Sequence, residues 1–226
     1  MPEKILKVFQ ALKKAYGPQH WWPGETPFEV IVGAILTQNT SWTNVERAIA
    51  RLKKSKILSV KKMAKAPPEL LLKCLKPAGY FNIKAKRIKN FLNFLYAEHG
   101  GSLEKLFAEP TADLRQKLLG VNGIGPETAD SIILYAAKQP VFVVDAYTRR
   151  IASRIGLIHE ETSSYDEIQQ FFTKFLPSKE SLFNEFHALL VVHAKRVCKT
   201  KPLCSQCPLR PLCVWGRADR GRDFYC

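Results

Sequence analysis

The sequence predicts an all-α protein, and three observations carry that reading. Apolar residues recur at helical spacing along most of the chain, strand-like alternation survives only in the short run Val141 to Val144, and no internal repeat or low-complexity segment interrupts the pattern. With 226 residues, 46% of them hydrophobic, the chain can bury a sizeable core as one large domain or two small ones. Its net charge of +15 favours a polyanionic partner, nucleic acid being the commonest, although a merely basic surface would read the same from charge alone. No apolar run is long enough to span a membrane, and Met1-Pro2-Glu3-Lys4-Ile5 lacks the apolar core of a signal peptide. A cytoplasmic, nucleoid-associated protein with no membrane partner is therefore expected.

Lys4 to Tyr16 place Ile5, Leu6, Val8, Phe9, Leu12 and Tyr16 on one helical face. Residues 17–27, rich in Gly and Pro, form a loop that carries Trp21 and Trp22. Pro27-Phe28-Glu29 opens an apolar helix through Val30 to Leu36, closed by the polar turn Thr37-Gln38-Asn39-Thr40-Ser41-Trp42. A helix and a basic connector follow over 43–65, where Arg51, Lys53, Lys54, Lys56, Lys61, Lys62 and Lys65 serve equally well as a solvated face. Pro67-Pro68 starts the next helix, through Leu70, Leu71, Leu72 and Leu75. Gly79-Tyr80-Phe81-Asn82-Ile83-Lys84-Ala85-Lys86-Arg87 is a turn leading into a helix that continues over 88–98. Gly100-Gly101 break that helix, and Leu103 to Leu119 lead into the next turn. Helices over 146–156, 164–176 and 180–197 complete the pattern.

The turn after Leu119 organises the rest. Gly123 and Gly125 bracket one aliphatic residue, so the backbone bends tightly and leaves amides facing outward at the start of a helix whose dipole favours a phosphate. This is a helix-hairpin-helix, and Asp145 follows it after an apolar run. Val121-Asn122-Gly123-Ile124-Gly125 and Val144-Asp145, with the polar turn at Gln38 and the block at Gly79, resemble the helix-hairpin-helix DNA glycosylases and, among them, the endonuclease III branch. The resemblance covers nearly the whole chain. It implies two lobes, a central bundle over 22–137 and a second lobe from 1–21 and 138–226, with Asp145 at the mouth of the cleft between them. It also implies double-stranded DNA containing a damaged or mismatched base as partner, and a monomer.

Cysteine usage is uneven: Cys74 stands alone, Cys198, Cys204, Cys207 and Cys213 cluster as C-x5-C-x2-C-x5-C, and Cys226 ends the chain with no assigned role. A secreted disulfide scaffold would be shorter and more evenly stapled, so the cluster reads as a metal site. Four thiolates suit zinc or a 4Fe-4S cube, and spacing alone leaves both open. The resemblance favours iron and sulfur over zinc, although the family's first gap is one residue longer. Lys199, Lys201 and Arg210 would give the folded loop a basic edge against DNA. Cys74, in a leucine-rich helix, is expected to be a small buried hydrophobe.

Breaking a glycosidic bond builds positive charge on the deoxyribose, and a buried carboxylate there stabilises the transition state. The resemblance assigns that role to Asp145, which would equally suit the N-cap of a helix starting at Ala146. It gives Gln38 the task of filling the gap left by the extruded nucleotide; a plain helix-end cap is the alternative. Asn39, Lys84, Arg87, Gly123, Gly125, Thr128 and Arg150 are expected to contact DNA, and Trp22, Trp42 and Tyr147 to line the base pocket, with plain core packing as the alternative for Trp42. Bifunctional members place a Schiff-base lysine in the second hairpin helix, where this chain has Glu127; a carboxylate cannot form that bond. The departure predicts a monofunctional glycosylase, with Glu127 hydrogen-bonding the base. The Trp21-Trp22 pair and the Pro126-Glu127-Thr128-Ala129-Asp130 hairpin are similar to the 3-methyladenine glycosylases, which points to an alkylated purine. Uracil or thymine mispaired with guanine, an endonuclease III-like lyase, and a non-catalytic DNA-binding module are the alternatives.

Overall fold

A computed structural model describes residues 2–159 and 162–218, so Cys226 lies outside the described residues. Among them every regular element is helical. The chain divides into a central unit, Trp22–Gln139, and a discontinuous unit made of Met1–Trp21 with Pro140–Cys226. Helix α1 (Pro2–Tyr16) opens the discontinuous unit. The central unit holds α2 (Pro27–Thr37), α3 (Trp42–Lys54), α4 (Val60–Ala64), α5 (Pro68–Leu75), α6 (Phe81–His99), α7 (Leu103–Phe107), α8 (Thr111–Gly120) and α9 (Pro126–Ser131). The chain then returns with α10 (Ala146–Ile155), α11 (Tyr165–Phe175), α12 (Glu180–Arg196) and α13 (Val214–Ala218).

In the central unit α2 is the axis of the core. Thr26 caps it, accepting from the Glu29 amide at 3.2 Å, and every residue from Phe28 to Leu36 is buried. A helix apolar all round can only be stable with neighbours on every side. Helix α3 supplies one of them through Val45, Ala48, Ile49 and Leu52, and Cys74 on α5 is buried as a small apolar residue. Two stretches around the hairpin are irregular. The approach to the hairpin is broken between α7 and α8 at Pro110, which lacks an amide for a helix interior. The second hairpin helix is regular only through Ser131 and widens into a π turn over Ile132–Ala136, all of it buried.

The discontinuous unit closes on aromatic rings. Phe142 stacks on Phe172 at 4.3 Å and meets Phe183 and Phe186 edge-on at 5.5 and 5.9 Å, while Phe9 of α1 reaches Phe186 at 5.3 Å. Val141 to Val144, the one run with strand-like alternation, is non-helical chain with all four residues buried, held by Tyr165 and Gln169 of α11 at the Val144 amide and the Phe142 carbonyl. Ser164 and Glu167 form a reciprocal capping box at the start of α11. No helix among the described residues is long and apolar enough to cross a membrane.

Candidate active site

Asp145 lies in the discontinuous unit at the N-cap of α10, where its Oδ1 accepts from the Thr148 amide at 2.7 Å. Its Oδ2 stands 3.5 Å from Nε2 of His187 on α12, and the two side chains are only 13% and 7% exposed. Burial alone would push this carboxyl up; the His187 and Thr148 contacts outweigh it and hold Asp145 below the usual carboxylate value. Both anticipated roles, cap and buried anion, thus fall on one side chain. His187 went unrecognised in the sequence, since nothing local marks a histidine that meets a carboxylate from a distant helix.

One turn along α10, the Arg150 guanidinium lies 5.3 Å from the Tyr147 ring centroid, and its Nε donates to the Cys198 carbonyl at 3.1 Å. Arg150, expected on DNA, also ties α10 to the cysteine loop. Arg154, at the end of the same helix, donates to the carbonyls of Lys199 and Thr200 at 2.6 and 2.9 Å and to Cys198 Sγ at 3.4 Å.

In the central unit a cavity of about 210 Å³ is lined by Trp22, Trp42, Glu29, Glu46, Lys53 and the small surface of Gly33, among others. Trp22 stands edge-on to Trp42 at 5.1 Å and 5.0 Å from Tyr135. A Cβ on Gly33 would come within 3.4 Å of the Trp22 indole nitrogen, so a glycine here lets α2 approach the ring. Buried Glu29 pairs with Lys53 at 2.9 Å, and Trp42 Nε1 donates to Glu46 at 2.9 Å. The carboxylates of this cavity are therefore Glu29 and Glu46. Glu127, expected to serve the base, is exposed in the first turn of α9, where its charge complements the helix dipole.

The hairpin is braced from inside the same unit. Gln38 Nε2 donates to the Gly123 carbonyl at 3.0 Å and to Thr128 Oγ1 at 2.9 Å, and its Oε1 accepts from Arg87. Gly123 has φ +95°, and a Cβ there would lie 2.3 Å from Arg87 Cγ, so only glycine permits both the turn and the arginine across it. Gly125 caps α9 with open space where a Cβ would point.

Three of the residues expected on DNA have partners inside this unit. The Gln38 amide is engaged with the hairpin instead of projecting. Thr128 is buried, with its hydroxyl accepting from Gln38. Lys84 falls on the inner face of α6, 1% exposed, and donates to the Ala78 carbonyl at 2.6 Å, so it is no phosphate ligand; burial, and then the charge of Arg87, lower its pKa. Asn39, next to Gln38, is exposed with φ 53°, a left-handed conformation that asparagine tolerates. Tyr80 is also left-handed and 70% exposed, with Ile83 beside it 52% exposed. The sequence signal for Tyr80 was an aromatic residue directly after Gly79 in a basic stretch.

Cys198, Cys204, Cys207 and Cys213 line one cavity with Arg154, Leu203, Arg210 and Trp215. Burial, reinforced by the other three cysteines, pushes the Cys207 thiol up to about 11. Four sulfurs that oppose one another's ionisation fit a cationic inorganic core, which would reverse that repulsion. His193, held neutral by burial with a pKa of about 4, lies between Tyr16, 2.8 Å from its Nδ1, and Cys207, 3.6 Å from its Nε2. Among the described residues no three His, Cys, Asp or Glu side chains converge on a site for a single metal ion.

Residues 32–178 match the family model described as HhH-GPD superfamily base excision DNA repair protein. The chain is 47% identical over 213 residues to a candidate DNA repair glycosylase of Methanocaldococcus jannaschii, covering 94% of this chain and 96% of that one. It is 30% identical to endonuclease III of Thermotoga maritima over 84% of each chain. The crystal structure of H. pylori 3-methyladenine DNA glycosylase bound to 1,N6-ethenoadenine superposes with a TM-score of 0.74 at 31% identity, covering 85% of this chain and 97% of that one.

Proposed function

Because the chain belongs to the HhH-GPD superfamily of base excision DNA repair proteins, we propose that it is a DNA N-glycosylase that excises an alkylated purine and leaves an intact abasic site. The observation that carries the reading is Asp145, a buried carboxylate held below the usual carboxylate value directly after the hairpin's apolar run. Once the base is flipped out of the stack, at a cost of a few kcal/mol that is smaller for damaged bases, this anion stabilises the positive charge that develops on the sugar as the glycosidic bond breaks. Water completes the hydrolysis.

The substrate class is supported by the cavity at Trp22 and Trp42. Two indole rings recover stacking for a flat heterocycle, and two carboxylates against one lysine leave the cavity net negative, which favours a cationic alkylated purine. The H. pylori relative, a 3-methyladenine glycosylase, points the same way. Glu46 takes the base-facing role first given to Glu127. The absence of lyase chemistry is supported by Glu127 itself, which stands where the bifunctional pattern has a lysine.

Duplex contacts fall to the outer amides of α9, to exposed Lys86 and Lys89 on α6, and to Asn39, whose exposed side chain suits it to fill the vacated stack in place of Gln38. Cys198, Cys204, Cys207 and Cys213 hold a 4Fe-4S cluster in this reading. Four cysteines lining one cavity support a metal centre there, and the resemblance to the endonuclease III branch favours iron and sulfur over zinc. When bound, the cluster fastens the loop that Arg150 and Arg154 grip.

The test is excision from duplexes carrying 3-methyladenine, uracil or thymine opposite guanine, or an oxidised pyrimidine, each resolved with and without hot alkali. Strand breaks from the 3-methyladenine duplex only after alkali are the expected result. Breaks without alkali, trapped by borohydride, would assign a Schiff-base lysine and remove the monofunctional reading.

A further inference from the structure

The two oxygens of Asp145 have different neighbours. Oδ1 is committed to the Thr148 amide at 2.7 Å, while Oδ2 has His187 Nε2 at 3.5 Å, farther than a hydrogen bond but well within electrostatic reach. A carboxylate this largely buried takes up a proton more readily unless charge or donors compensate. A protonated Asp145 would lack the negative charge the reaction needs; the first compensating influence is His187, and Thr148 compensates through its amide and side chain. Several other polar groups on or near α10 have partners elsewhere. Tyr165 of α11 accepts from the Val144 amide at 3.3 Å, Arg149 donates to the Ser163 carbonyl, Arg150 donates to Cys198 at 3.1 Å, and Lys4 of α1 donates to Ile155 at the far end of the helix at 2.6 Å.

We propose that His187 is a positioning residue for Asp145, its imidazole on α12 fixing the outer oxygen and keeping the largely buried carboxylate ionised. The proposal rests on Asp145 being the reaction's carboxylate. Its sign is definite: a buried carboxylate deprived of its histidine protonates at higher pH, so excision is lost earlier as pH falls. DNA binding and folding do not depend on that charge in the same way.

The experiment compares wild type with His187→Gln in single-turnover excision of 3-methyladenine between about pH 4 and 8. A base already cationic needs no protonation to leave, so the acid limb reports the enzyme. The limb is expected to move up by about one pH unit in the variant, with DNA affinity and melting temperature close to wild type, and His187→Lys is expected to restore it. An unmoved limb in folded His187→Gln overturns the proposal. A second readout needs no activity: the Asp145 carboxyl carbon, assigned in ¹³C-aspartate protein by its loss in Asp145→Asn, should titrate higher in His187→Gln. An unchanged carboxyl titration overturns the His187–Asp145 link itself. A shifted titration with an unmoved excision profile keeps the link and overturns Asp145's place in the reaction, and with it the role proposed for His187.

Discussion

Two polar clusters, one in each unit, are built on opposite principles. Around Asp145 a charged group sits in a nearly dry site with one full hydrogen bond and one imidazole at longer range. Around Gln38 an amide is bonded to Gly123, Thr128 and Arg87 at once. In the proposed reading, the first cluster keeps a negative charge available to a substrate that brings the opposite sign. The second spends its hydrogen bonds on itself and fixes the shape of a turn. Chemistry and scaffolding can thus be separated by how completely each polar group is satisfied.

The largest effect that would test this contrast is in Asp145→Asn. Asparagine still accepts from the Thr148 amide, so the melting temperature should barely change, while single-turnover excision falls roughly 100-fold or more. Next comes Gly123→Ala, which forces a side chain into a left-handed turn and against Arg87; a loss of about 1–3 kcal/mol in chemical unfolding and weaker duplex binding are expected. Gln38→Ala should cost about 1–2 kcal/mol of stability by opening the brace. Asn39→Ala should leave stability alone and slow excision, and the reverse pattern would restore Gln38 as the residue that enters DNA. The smallest effect is in Glu46→Gln, where excision of a cationic base relative to a neutral one should drop by up to about tenfold; an unchanged ratio would leave the cavity without a role in selection.

What could be read in the sequence was local. The helical spacing around Ile5 and Leu12, the proline at the start of α2, the glycine that Gly123 has to be and the cap that Asp145 has to be each depend on a few neighbouring residues, and each is found in place. What escaped depends on pairs brought together by packing. Lys84 reads as a surface cation until α6 turns it inward to the Ala78 carbonyl. Gln38 reads as a free polar side chain until Arg87 and Thr128 close on it from other helices. His187 and Arg154 carry no signature at all, because their partners lie on α10 and in the cysteine loop.

Helix α10 begins at Asp145 and ends at Arg154, whose guanidinium grips the first residues of the cysteine loop; α12, which carries His187, runs directly into that same loop at Cys198. The loop is therefore a clasp on the two rods that set the carboxylate against the imidazole. If those cysteines hold a cluster, as proposed, opening the loop by oxidation or chelation would release both helix ends together and disturb the alignment of Asp145 with His187.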